Sequence, residues 1–269
     1  MLQTDLDRTH HIAGDPIMST DPEAVLAVTD PATGAVIARV PAGTVADAEA
    51  AVRAARAAQP DWVRRGASAR AALLKAGARR LRDRAGELAE LQTRENGKPL
   101  EDSAGGVEAG IGAIEQYAEL GPVHRGRALA GGWEATDLMV FEPRGVVALL
   151  VPWNDPVAIA CGQLAAALVT GNTVVLKPSE KTPLAALRIA KLLDLPPGVL
   201  NVLLGDSRSG RPLAPRRIQS GCAARAARTA ASASATVPPG TRAITAPVAG
   251  SVTARTASGS VLMMGSPAM

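Results

Sequence analysis

Between residues 145 and 205 the chain alternates two kinds of apolar segment, and this alternation constrains the fold more than any other feature. Residues 145–151 are a continuous apolar run, as expected of a strand buried on both faces. Residues 157–170 have helix length and end at Gly171-Asn172. Residues 173–177 read as a second strand, stopped by Pro178. Residues 183–194 read as a helix with Pro183 in its first turn, and 199–203 as a third strand ending before Gly205. A β-α-β-α-β order with short connections predicts an α/β fold with parallel strands. Such sheets bind ligands beyond the carboxyl ends of their strands.

The upstream half follows a different grammar. Residues 1–20 are polar and unpatterned, which predicts a loose extension, and Met18 could be the true start. Short strands are expected at 24–28 and 35–40, joined by Asp30-Pro31-Ala32-Thr33-Gly34. Thr44 with Asp47 three residues on predicts an N-cap, and Val45, Ala48, Val52 and Ala55 follow at helical spacing. A second, longer helix is expected from about Ser68, with Leu74, Leu81, Leu88 and Leu91 on one face. It should end at Asn96-Gly97, with Pro99 blocking continuation. A third helix carries Val107, Ile111, Ile114 and Ala118. Its Gly105, Gly106, Gly110 and Gly112 cost helix propensity but would let another element approach closely. Residues 127–142 read as an extended hairpin.

Composition separates the last 54 residues from the rest. Residues 1–215 carry 23 Lys+Arg against 25 Asp+Glu, a net charge of −2. Residues 216–269 carry six Arg, no acid, and 36 Ala, Ser, Thr, Gly or Pro. That composition predicts a low-complexity, disordered tail. The overall +4 is the tail's doing and does not describe a basic binding face. With aromatics at 2%, few rings exist to stack bases, so no nucleic-acid partner is expected. No apolar run reaches the roughly 18 residues of a spanning helix, and no signal peptide is visible, which predicts a cytoplasmic protein with no membrane partner. His10, His11 and His124 lack ligand-spaced partners, so they read as surface residues and no metal is expected.

The segments Val151-Pro152-Trp153-Asn154-Asp155-Pro156 and Gly171-Asn172-Thr173-Val174-Val175-Leu176-Lys177-Pro178-Ser179-Glu180 each close a predicted strand. With Asp30-Pro31-Ala32-Thr33-Gly34, Glu95-Asn96-Gly97-Lys98-Pro99 and Pro196-Pro197-Gly198-Val199-Leu200-Asn201-Val202 they resemble, in order, the N-terminal half of the aldehyde dehydrogenase superfamily. The resemblance covers about residues 24–213. It implies an incomplete Rossmann-like parallel sheet preceded by N-terminal helices and an oligomerisation hairpin. The expected organisation is 1–20 extension, 21–142 helices and hairpin, 143–215 partial NAD-binding domain and 216–269 tail.

The resemblance also implies roles. Asn154 would donate its side-chain N–H to the oxyanion forming on an aldehyde. A fixed carboxamide at the end of a buried strand suits that task, and the same residue could instead cap the following helix. Lys177 and Glu180 would hold the adenosine ribose. Val151, Pro152, Trp153, Ser179 and Gly205 would line the cofactor cleft, although Trp153 could equally be core. A carboxylate beside the ribose favours NAD over NADP.

The family's chemistry also needs a thiolate that attacks the aldehyde carbon and a Glu that activates water. Those residues belong to Glu-Leu-Gly-Gly-Lys and Gly-Gln-x-Cys segments, and neither string occurs in this sequence. Cys161 falls within a predicted helix and reads as a buried structural thiol, while Cys222 falls in the tail. Ser207 stands where a second Gly is common in Gly-Asp-Gly. The abrupt loss of Asp, Glu and Lys predicts a reading-frame shift near residues 211–218. The expected function is therefore a truncated NAD-dependent aldehyde dehydrogenase, inactive alone. The alternative is a non-catalytic nucleotide-binding or assembly module that forms homo-oligomers or pairs with an intact relative.

Overall fold

A computed structural model of the chain describes residues 9–124, 126–129, 137–213, 252–254 and 261–263. The chain divides into two units, Met1–Gly121 with Gly145–Arg216, and Pro122–Arg144 with Arg217–Met269.

The first unit is built on a five-stranded sheet. Strands β7 (Val146–Val151), β8 (Thr173–Pro178) and β9 (Leu200–Val202) are parallel and adjacent. The sheet continues through β1 (Thr9–Ile12) and β2 (Asp15–Met18), giving the order β2-β1-β9-β8-β7. Residues 9–18 are thus an ordered antiparallel hairpin on the sheet edge, where a loose extension was expected. His10 is correspondingly 1% exposed, not a surface residue, because Leu204 and Asp47 supply polar partners for its ring.

Side-chain alternation along β8 divides the core. Val174 and Leu176 face α5 (Pro156–Val169) and α6 (Pro183–Leu193). Val175 packs instead with Ala48, Ala51 and Ala55 of α1 (Val45–Arg64). Helices therefore cover both faces, which makes β8 buried along its whole length. β7 departs from the expectation of two-sided burial: among the described residues it is an edge strand of this sheet, and Leu150 is 52% exposed. Apolarity of a run identifies the strand, not its place in the sheet.

Local chemistry fixes the helices. Thr44 Oγ1 accepts from Asp47 N at 3.1 Å, and the Asp47 carboxylate accepts from Thr44 N at 2.9 Å, a reciprocal cap on α1. The expected long second helix is two helices, α2 (Gly66–Asp83) and α3 (Ala85–Asn96), broken where Arg84 leaves helical geometry. Leu74, Leu81 and Leu88 are all fully buried despite the break, so their spacing does not reveal it. α3 stops at Gly97, whose φ of 75° is the left-handed conformation that a Cβ disfavours.

Two of the four singled-out glycines of α4 (Leu100–Leu120) serve close packing. A Cβ on Gly110 would lie 3.1 Å from the Val157 carbonyl oxygen of α5, and one on Gly106 would lie 2.5 Å from Asp155 Oδ1. Gly105 and Gly112 face open space. The far end of α5 is fastened by side chains, with Trp62 Nε1 donating to Leu168 O at 2.9 Å and Arg70 Nε to Val169 O at 3.0 Å. Because α2, α4, α5 and the sheet share one core, the boundary expected at residue 143 does not separate two cores.

The strand pair β3 (Val25–Thr29) and β4 (Val36–Pro41) is joined through the Asp30 turn, where Asp30 Oδ1 accepts from Ala32 N at 2.8 Å. A four-residue helical turn, α7 (Ser207–Gly210), follows β9.

In the second unit β5 (Arg127–Leu129) pairs antiparallel with β6 (Asp137–Met139), placing a hairpin within 127–142 as expected. The His124 ring stacks on Phe141 with centroids 4.3 Å apart. The described residues of the Ala/Ser/Thr-rich segment are β10 (Val252–Ala254) and β11 (Val261–Met263), an antiparallel pair that no sequence period signals. No helix among the described residues is long and apolar enough to cross a membrane.

Candidate functional site

Parallel pairing brings the carboxyl ends of β7 and β8 side by side, with Val151 opposite Pro178. β9 runs beside β8 with Leu176 opposite Val202, so its continuation to Gly205 reaches the same end of the sheet. All eight singled-out residues lie at this end.

Val151 is buried as the last residue of β7. Pro152, Trp153 and Asn154 are exposed in the turn that follows. Trp153 is 49% exposed and so is not core; Lys181 Nζ lies 5.2 Å from its ring centroid, a cation–π arrangement. The residue in the cap position of α5 is Asp155, which leaves the Asn154 carboxamide exposed at the strand end and not serving as the cap.

On the neighbouring strand, Lys177 is 7% exposed. Its Nζ donates to Gly205 O at 2.7 Å and to Pro178 O at 2.9 Å, tying the end of β8 to the turn after β9. Burial lowers the pKa of this ammonium, against the opposing pull of the Glu180 and Asp206 charges. Gly205 has a φ of 129°, and a Cβ there would collide with the Ala42 carbonyl, so the turn needs glycine. Ser179 is partly buried, and its hydroxyl accepts from Lys181 N at 3.2 Å, which shapes the turn. Glu180 is exposed at the turn's tip.

Both turns are held from the same place. Asn96 Nδ2 donates to the carbonyl oxygens of Trp153 at 3.2 Å and Asn154 at 3.5 Å. Lys98 Nζ lies 3.5 Å from Asp155 Oδ2. Gln92 Oε1 accepts from Val157 N at 3.3 Å, in the first turn of α5. One residue before Asn96, Glu95 accepts from Leu184 N at 2.6 Å and Ala185 N at 3.0 Å, in the first turn of α6. Complete burial pushes the Glu95 carboxyl up to about 8, and these two N–H donors work against that rise.

Sequence reasoning read Glu95-Asn96-Gly97 only as the end of a helix and a family signature. Its polar side chains carry a second message: a left-handed Gly alone ends a helix, so a buried carboxylate and an amide beside it have other partners.

Cys161 is fully buried on α5, and burial pushes its thiol up to about 12, so it is a packing residue and not a thiolate. Cys222 lies outside the described residues.

Residues 17–218 match the model of the aldehyde dehydrogenase family. Over 206 residues the chain is 38% identical to betaine aldehyde dehydrogenase of Rhizobium leguminosarum bv. trifolii, covering 75% of this chain and 42% of that protein. It is 42% identical over 200 residues to 3,6-anhydro-alpha-L-galactose dehydrogenase of Streptomyces coelicolor, covering 70% of this chain and 39% of that one. Among solved structures, an indole-3-acetaldehyde dehydrogenase of P. syringae in complex with NAD+ superposes with a TM-score of 0.75 at 37% identity. That match covers 78% of this chain and 44% of the other. The chain thus spans less than half the length of the relatives it matches.

Proposed function

The chain belongs to the aldehyde dehydrogenase family, and from that premise we propose that it supplies the NAD crevice and oxyanion donor of an aldehyde-oxidising enzyme without turning over by itself. The observation that carries this reading is the juxtaposition of the 152–154 turn with Lys177, Glu180 and Gly205 at the adjacent ends of parallel strands.

The donor set fits a dinucleotide. An ammonium has three N–H donors, and Lys177 spends two on carbonyls, leaving one for a ribose hydroxyl. The Glu180 carboxylate accepts from ribose hydroxyls and repels a 2′-phosphate, which favours NAD over NADP. Val151, Pro152, Trp153, Ser179 and Gly205 complete the walls. NAD, when bound, takes up hydride. Asn154, held at a strand end, offers an N–H to the aldehyde oxygen as negative charge develops there, with no reorganisation at the moment of reaction.

The described residues offer no accessible thiol. Cys161 is sealed within α5, and Cys222 has no family-like context in sequence. A reading-frame shift near residues 211–218, with action in the cytoplasm, belongs to the same proposal. A second reading, an assembly module that pairs with an intact relative, is favoured by the β5–β6 hairpin.

Isothermal titration with NAD and NADP, beside NADH absorbance with a panel of aldehydes, tests the proposal. NAD binding without NADH production is expected. Failure to bind NAD overturns the crevice assignment, and NADH production lost on Asn154→Ala overturns the claim of inactivity. Co-purification with a full-length family member tests the second reading.

A further inference from the structure

We propose that Glu95 and Asn96 are the positioning residues of the crevice, each locking one of the two turns that form its walls. The inference rests on the NAD-crevice reading for its functional meaning, while its structural content stands on the hydrogen bonds alone.

Asn96 grips the wall that carries Asn154. Its Nδ2 reaches two successive carbonyls, Trp153 O and Asn154 O, and its Oδ1 accepts from Lys98 N at 2.9 Å. Holding successive carbonyls fixes the two peptide planes that flank the Asn154 Cα, and with them the direction in which its side chain leaves the backbone. Glu95 grips the other wall. Each of its oxygens takes one N–H of the first α6 turn, immediately after the Ser179–Glu180 turn. These are donors that a helix cannot satisfy internally.

Glu95 and Asn96 are consecutive, so the two walls are spaced by one residue of one helix end. That end is itself fixed, since Gly97 is packed so closely that a Cβ there would lie 2.8 Å from Pro31 Cγ of the β3–β4 turn. Lys98 and Gln92 reinforce the Asn154 side through Asp155 and Val157. Lys181 over the Trp153 ring links the two turns directly, while Glu95 and Asn96 link them through one helix end.

Asn96→Asp keeps the acceptor for Lys98 N but replaces the donor with a carboxylate oxygen facing two carbonyls. Glu95→Gln keeps size but puts an NH2 group against one backbone N–H. The readouts are 15N order parameters, amide exchange and NAD affinity on the full chain. For Asn96→Asp, order parameters at Trp153 and Asn154 should fall from a rigid value of about 0.85 to below about 0.6, with α6 unchanged. For Glu95→Gln, exchange at Leu184 and Ala185 should accelerate about tenfold, with the Trp153 turn unchanged. NAD affinity should drop at least about threefold in each, a loss of about 0.7 kcal/mol.

Unaltered order parameters in Asn96→Asp overturn the proposal. So does loosening spread evenly over the unit in that variant, because Asn96 would then act on general stability. Asn96 is the decisive position, being half-buried where Glu95 is fully buried, should Glu95→Gln fail to fold. If the turns loosen as assigned while the unaltered chain also fails to bind NAD, the positioning role stands and the proposed function falls.

Discussion

The Nδ1 atom of His10 accepts a hydrogen bond from the backbone N–H of Leu204 at 3.1 Å, joining the first strand to the residue that leads into the Gly205 turn. Only a neutral imidazole can accept at Nδ1 with its proton on Nε2. Nε2 lies 3.3 Å from Asp47 Oδ2 without hydrogen-bond alignment. Burial lowers the His10 pKa from its ordinary 6.5, against the raising influence of Asp47. Burial works the other way on Asp47, but hydrogen bonds from Ser19, Thr20 and Thr44 outweigh it and hold that carboxyl well below the usual range.

This arrangement predicts a pH-dependent contribution to stability. The unfolded chain protonates His10 near pH 6.5 and the folded chain only lower. The contribution is therefore complete above pH 6.5 and is lost as pH falls through the depressed folded value. His10→Gln supplies a non-titrating acceptor for Leu204. Urea midpoints of both proteins between pH 5 and pH 8 should show the wild-type advantage shrinking below about pH 6.5. A difference independent of pH would refute the neutral ring.

The glycines of α4 predict opposite signs within one helix. Gly105→Ala and Gly112→Ala meet nothing within 4 Å and should stabilise by about 0.5–1 kcal/mol through helix propensity. Gly110→Ala presses on the backbone of α5 and should destabilise by about 1–3 kcal/mol. Thermal melts of the three variants check this, and a stabilising Gly110→Ala would mean that the helices lie farther apart.

Arg70 predicts a large cost from one substitution. Its guanidinium donates to Val169 O, Trp62 O and Val63 O. Arg70→Met leaves those carbonyls without their donor and should cost about 2–4 kcal/mol. Chemical denaturation that shows a loss under about 1 kcal/mol would assign these carbonyls other partners.

Glu180 sets the cofactor preference under the proposed function. Removing its charge in Glu180→Gln should raise NADP affinity relative to NAD by about tenfold, because repulsion of one charge near a 2′-phosphate is relieved. Titration calorimetry with both dinucleotides measures the ratio. An unchanged ratio would place the 2′ position away from Glu180.

How much of this molecule its sequence discloses depends on the range of the interaction. The three parallel strands are legible because apolar runs, helix length and Gly or Pro punctuation are local. Thr44 with Asp47 is legible because the cap spans three residues. The β1–β2 hairpin is not, because His10 occupies an inward slot only by virtue of partners 37 and 194 positions away. The break at Arg84 is equally silent, with no Pro or Gly at that residue and an unbroken leucine spacing across it. For the candidate site, the motifs carry Val151 and Lys177 to the carboxyl ends of β7 and β8, a placement that local punctuation makes legible. The partners of Asn96 and Glu95 are not legible, since their hydrogen bonds cross 57 and 89 positions.

The tether from Lys177 to Gly205 also has a chemical consequence. A buried ammonium with two of its three hydrogens committed to carbonyls, its stem packed against Gly210 of the 207–210 turn, is shielded from an acylating reagent by lack of access. Lys181, four residues on and stacked over an indole at the surface, has no such shelter. Mild labelling is therefore expected to modify Lys181 well before Lys177.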